Sequence, residues 1–238
     1  MSELKITPAA SPNFDAREGG EVSLVVLHYT GMRSGREALQ RLCDKQAKVS
    51  AHYLVEEDGE IFGLVAEEKR AWHAGVSHWA GRDLVNDVSV GIEIVNPGHW
   101  WGYRPFAEPQ MTAVTQLVRA VVKRWDIKMS EVVGHSDIAP TRKEDPGELF
   151  DWAGLAAQGL AIGPYTGGFN PEGEALEYET ALGLLKNIGY GFDGVNHTSS
   201  LLAFQRRFLP SSLGQGFDLM TRSALIEISK AHQAIRAT

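Results

Sequence analysis

Two apolar runs of this chain end in histidine: "VVLHYT" in His28 and "VVGHS" in His135. A third, "VGIEIVN", carries Glu93 inside an otherwise aliphatic stretch. Ten residues past His135 the segment "IAPTRKEDPG" brings Lys143 and Asp145 close together. Side chains at strand ends of open α/β sheets converge on a shared crevice. Two imidazoles and one carboxylate, with a fourth position left for water, form a recurrent catalytic zinc pattern. His28, His135 and Asp145 can supply that set. Zinc lowers the pKa of bound water to about 7, and a carboxylate and a lysine nearby can move its proton and stabilise an oxyanion. Glu93 and Lys143 suit those two tasks. Plainer readings compete at each position. A histidine at a strand end can be structural, and Asp145 before Pro146 can simply start a turn. Asp137 rivals Asp145 as a ligand, although "HSDIAP" also reads as an Asx-turn. Glu93 can belong to a buried salt bridge.

These residues need strands to hold them. Val22 to Tyr29 is nearly all apolar, as in a strand buried on both faces. Ser34 can cap a helix with Ala38, Leu39, Leu42 and Cys43 on one face. "AHYLVEEDGEIFGLV" places two short apolar runs around Asp58-Gly59, a hairpin signal. Val88 to Asn96 reads as a second central strand. Met111, Val114, Leu117, Val118, Val121 and Val122 recur at helical spacing between Pro109 and Trp125, and Asp151 can cap a short helix in "DWAGLAAQG". The expected fold is α/β, a central mixed β-sheet flanked by helices, followed by a small three-helix domain.

Residues 1–20 are polar with Pro and Gly and read as an N-terminal arm, and 21–163 as the catalytic domain. Gly and Pro concentrate near 164–173, a linker signal. Residues 174–238 carry three helical patterns, the last with Ala224, Ile228, Ala231 and Ile235 on one face.

Length and charge narrow the function classes. A chain of 238 residues can bury a substantial core, and a net charge of −7 without a basic block argues against nucleic acid. No run of about 18 apolar residues occurs, so a membrane span is not expected. The single cysteine, Cys43, rules out an internal disulfide. The polar N-terminus lacks a signal-peptide core, so the expected compartment is the cytoplasm, or the periplasm if a leader precedes this sequence. Oligomeric state is left open.

The segments "VVLHYT", "SAHYLVEEDGEIFGLV", "RAWHAGVSHWAGR", "NDVSVGIEIVN" and "GHSDIAPTRKEDPGELFDW", in this order, resemble the zinc-dependent N-acetylmuramoyl-L-alanine amidases of the AmpD/AmiD type. The resemblance implies hydrolysis of the amide between N-acetylmuramic acid, or its anhydro form, and L-alanine, with peptidoglycan fragments as partner. By this resemblance His28, His135 and Asp145 match the zinc ligands, Glu93 the catalytic acid, and Lys143 the lysine two residues before the ligand aspartate. Asp137 matches no ligand. "AWHAG" resembles a segment beside the substrate groove, which makes Trp72 and His73 candidate substrate contacts, with a structural hydrogen bond as the alternative for His73. His52 reads as structural. Some relatives carry a peptide-binding arginine just before "ND"; Leu84 and Val85 stand there, and Arg82 is the nearest candidate. "FDG" followed by "LLAFQRRF" resembles a three-helix peptidoglycan-binding module, with packing against the catalytic domain as its alternative role. Two further readings remain: a recognition module that binds fragments without cutting, and a lytic amidase acting on intact sacculi.

Overall fold

The structure is a computed structural model describing residues 4–18, 20–191 and 197–237. Residues 192–194, the "FDG" of the tail motif, lie outside the described residues, as do 1–3 of the arm. The arm does more than lead in. Thr7–Pro8 (β1) and Phe14–Ala16 (β2) are strands, and Arg17 donates to the backbone carbonyls of Glu67, Asn86, Asp87 and Ser89. Strands of two and three residues are too short to display a period, so periodicity could not reveal these two.

The central strands are Leu24–Tyr29 (β3) and Ser89–Ile94 (β7), and all but Tyr29 and Glu93 are buried. Between them lie Gly35–Cys43 (α1), capped by Ser34 accepting from Glu37 N, and the hairpin of Tyr53–Val55 (β4) with Ile61–Gly63 (β5). Gly59 turns that hairpin at φ 90°, where a Cβ would stand 2.8 Å from the Pro109 carbonyl oxygen. Lys69–Ala71 (β6) pairs antiparallel with β2, and Val85–Val88 (α2) leads into β7. Then come Gly98–Trp101 (α3), Glu108–Trp125 (α4), Val132–Gly134 (β8), His135–Ile138 (α5) and Trp152–Ala157 (α6). The main sheet runs β1-β5-β4-β7-β3-β8, parallel between β4, β7, β3 and β8 and antiparallel at the β4–β5 hairpin.

Alternation along β3 divides the core. Val25 and Leu27 face α4, whose Ala113, Val114, Leu117, Val118 and Val121 cover them. Emptying one such site, for example by Leu117→Ala, costs about 2–5 kcal/mol. Leu24 and Val26 face the opposite layer, formed by the segment around Trp79 and by the C-terminal helices Tyr178–Ile188 (α7), His197–Phe208 (α8) and Leu219–Arg236 (α9). The stripe of α9 differs from the sequence expectation: Thr221, Ala224, Leu225, Ile228, Ser229 and His232 are buried, while Ala231 and Ile235 are only partly covered. Polar residues in that stripe hid it from an apolar count. No helix among the described residues is long and apolar enough to cross a membrane.

Candidate metal centre and cleft

Sheet register does most of the positioning. His28 on β3 is the lateral partner of Glu93 on β7, and Leu27 is the partner of Gly134 on β8. One residue further along, His28, Glu93 and His135 therefore stand at neighbouring strand ends. His135 opens α5 rather than closing β8. The loop after α5 returns Asp145 to the same place: Ser136 N donates to Asp145 O at 2.8 Å. Gly134 admits this return, since a Cβ there would meet Pro146 Cδ at 2.7 Å.

The three side chains meet at single atoms. His28 Nδ1 lies 2.9 Å from His135 Nδ1, and Asp145 Oδ2 lies 3.1 Å from the first and 3.0 Å from the second. All three residues are buried, and this set could hold a metal ion.

The surrounding hydrogen bonds assign the tautomers. Ser89 Oγ donates to Val85 O at 2.6 Å, so its oxygen accepts from His73 Nε2–H at 3.2 Å. His73 Nδ1 is then the acceptor for His28 Nε2–H at 3.0 Å, which leaves a lone pair on His28 Nδ1. His135 Nε2–H faces the Ala74 carbonyl at 3.2 Å, which leaves a lone pair on its Nδ1 as well. Three acceptors thus face one another with no proton between them, an arrangement that a cation resolves. Around an ion bonded at about 2.0–2.1 Å, three tetrahedral donors stand about 3.3 Å apart, close to the observed triangle. Nitrogen, nitrogen and carboxylate oxygen are a donor set that suits zinc.

Burial, then the neighbouring His135, push His28 down to about 4, so it stays neutral at ordinary pH. Burial alone would raise Asp145, but His135 and His28 outweigh it and hold its carboxyl far below the usual range. Burial, followed by the Asp145 charge, lifts Glu93 to about 8, with Lys143 pulling the other way. Glu93 Oε2 is shielded from solvent and has no hydrogen-bond partner among the described residues. Among the described residues it has no salt-bridge partner either.

A cleft of about 370 Å³ opens onto this group, lined among others by Glu93, Lys143, Trp72 and His73. Trp72 Nε1 donates to Asp15 of β2 at 2.7 Å. His73 is engaged by His28 and Ser89, which is the hydrogen-bonding alternative weighed for it. Its ring also explains Gly91, where any Cβ would collide with it. His52 accepts from Gly91 N at 2.9 Å and donates to Lys69 O, a bracing role behind the site.

Two expectations need correction or completion. Arg82 is not at the cleft: it pairs with Glu131 and reaches Ser23 Oγ and Trp79 O. Proximity in sequence to "ND" misled, because the chain turns at Ala80-Gly81 and sends this side chain toward Glu131, just before β8, instead. The arginines lining the cleft are Arg41 of α1 and Arg142, the latter tied to the carbonyls of Ala74 and Val76. Asp137 takes no part in the triangle; its Oδ2 accepts from Gly134 N at 2.7 Å and from Arg207 at 2.6 Å. Sequence reasoning missed Ser89, the cleft-lining Arg41 and Trp100, and Arg207 as the partner of Asp137. "HWWGY" offered a signal for Trp100, but nothing local marked the other three.

Comparisons with known proteins point one way. The profile of the N-acetylmuramoyl-L-alanine amidase family matches residues 18–148. N-acetylmuramoyl-L-alanine amidase AmiD of Escherichia coli K12 is 36% identical over 233 residues, covering 87% of this chain and 83% of that protein. 1,6-Anhydro-N-acetylmuramyl-L-alanine amidase AmpD of the same organism is 39% identical over 161 residues, 60% of this chain and 86% of its own length. The solved complex of E. coli AmiD with the substrate anhydro-N-acetylmuramic acid-L-Ala-D-gamma-Glu-L-Lys aligns with a TM-score of 0.78 at 32% identity, covering 88% of this chain and 89% of that one.

Proposed function

This chain belongs to the N-acetylmuramoyl-L-alanine amidase family, and from that premise we propose that it works as a zinc amidase with His28, His135 and Asp145 as the metal ligands. The reaction is hydrolysis of the amide between N-acetylmuramic acid, or its anhydro form, and L-alanine in peptidoglycan fragments, in cell-wall recycling. The observation that carries the metal assignment is the triangle of three acceptor atoms at 2.9–3.1 Å. Zinc held there by His28, His135 and Asp145 would supply Lewis acidity, able to polarise a carbonyl and to lower the pKa of a water to near neutral.

The other tasks fall to side chains of the cleft. Glu93 presents a carboxyl whose proton affinity burial raises to about 8; a cation held at the triangle would favour its carboxylate form, which accepts a proton from the attacking water and returns it to the departing L-alanine amine. Lys143 sits at the same cleft, where its charge stabilises the oxyanion that develops on the lactyl carbonyl. Trp72 and Arg41 line the wall along which the muropeptide extends. The residues from 174 onward are read as a peptidoglycan-binding-like unit joined by a linker at 164–173. The single free Cys43 and a substrate of soluble fragments suit the cytoplasm, which cell fractionation tests.

The test is release of free peptide from anhydro-muropeptide, followed by chromatography. Wild-type protein should release it, and protein stripped by a chelator should not until zinc is restored. Full activity in stripped protein would remove zinc from the reaction. Binding without release would make the chain a recognition module, and preference for insoluble sacculi would make it a lytic amidase.

A further inference from the structure

Arg207 of α8 is 2% exposed, and Asp137, its partner at 2.6 Å, is fully buried. The pair sits in the layer between the sheet and the C-terminal helices. Both Asp137 oxygens are engaged. Oδ2 takes Gly134 N–H and Arg207, and Oδ1 takes the Tyr190 hydroxyl at 2.7 Å, just past the end of α7. Arg207 also donates to Val132 O at 2.9 Å and lies over the Trp152 ring at 4.2 Å. Its contacts therefore bracket His135: Val132 three residues before it, Asp137 two after. The preceding residue, Arg206, reaches Glu144 at 3.2 Å and Glu148 at 3.6 Å, on either side of Asp145.

A buried ion pair is weak evidence for stability, because well-packed apolar residues often do as well. What this one provides is geometry. Its hydrogen bonds hold the backbone that carries one imidazole and, through Ser136 N to Asp145 O, the returning carboxylate. We propose that Arg207 is a positioning residue for the metal centre, so that the C-terminal helices are a structural part of that centre and not only an appended module. The inference rests on the reading of His135 and Asp145 as metal ligands. Arg207 touches neither of these side chains and acts through Asp137 and Val132.

The experiment is zinc affinity of the full chain by chelator competition, with the visible absorption of the cobalt-substituted protein as a report on ligand geometry. Arg207→Met should weaken zinc binding about 10-fold, the lower end of the loss seen when a residue bonded directly to a ligand is removed, because Arg207 acts one contact further out, and should change the cobalt spectrum. Leu225→Ala is the control: it hollows the buried core of α9 without touching the loop, and should lower the unfolding midpoint while leaving affinity and spectrum unchanged. If Arg207→Met does not fold, Arg207→Met combined with Asp137→Asn removes the lone buried carboxylate and should show the same loss. Affinity within twofold of wild type in whichever variant folds, or an equal loss in Leu225→Ala, overturns the proposal. Wild-type protein that binds no zinc, or His28→Ala that binds it as well as wild type, overturns the ligand reading beneath it; normal wild-type binding with an unaffected Arg207 variant overturns the positioning role alone.

Discussion

His28 Nδ1 and His135 Nδ1 lie 2.9 Å apart although 107 positions separate them in the chain. Adjacent parallel strands make this possible, because Leu27 and Gly134 are register partners and the next residue on each side is a histidine. Two neutral imidazole nitrogens repel at that distance unless a cation or proton lies between them. With His28 held neutral down to about 4 by burial and by His135, a proton is a poor occupant at physiological pH.

Replacing His28 by Ala should therefore abolish stoichiometric zinc and hydrolysis together. Elemental analysis of the purified variant, alongside peptide release, checks both. Zinc retained at one equivalent would contradict the ligand assignment.

Glu93→Gln keeps the shape of the side chain and removes its proton chemistry. Peptide release should fall by at least about 100-fold while zinc stays bound, in line with the loss of a general acid–base group. A variant with near-normal turnover would take Glu93 out of the reaction.

The same substitution carries a pH signature in zinc-free protein. Glu93 holds its proton up to about 8 in the folded chain, well above its ordinary 4.5. Between those values the folded state binds more protons than the unfolded one, so this group's contribution to stability falls as pH rises. Glu93→Gln should raise the melting temperature relative to wild type at pH 8 and lose that advantage near pH 4. Parallel melting curves across that range are the measurement; a constant difference would contradict the burial argument.

Ser89 sets the tautomer of His28 through His73. Ser89→Ala removes the acceptor for His73 Nε2–H and frees the ring to reverse its tautomer. Zinc affinity should weaken by roughly 10-fold, read by chelator competition. Unchanged affinity would show that the relay does not govern the ligand.

Arg82 pairs with Glu131 away from the cleft. Arg82→Gln should leave KM for anhydro-muropeptide within about twofold of wild type and lower stability by about 1 kcal/mol or less, as for partly exposed ion pairs. A large rise in KM would restore it as a substrate contact.

Much of the site was legible in the chain. Histidines ending apolar runs, a carboxylate inside a third, and a lysine and aspartate on one excursion are local patterns. Strand ends are where α/β sheets expose side chains to a crevice, so residue type and position made His28, Glu93 and His135 candidates, whereas the choice of Asp145 over Asp137 came from the family resemblance. The buried strands and α4 were equally readable, since burial imposes periods that sequence displays. What folding alone decided were relations between distant segments. That Arg41 lines the cleft while Arg82 leaves it depends on how α1 and the Ala80-Gly81 turn are placed, and neither arginine carries a local sign of its destination. Ser89 became a partner of His73 only because Gly91, two residues on along the same strand, leaves room for that ring. Arg207 reads in sequence as a charge on a helix, and its descent to Asp137 is a property of packing between layers. Periodicity reports which face of an element is buried; it holds no information on what that face meets.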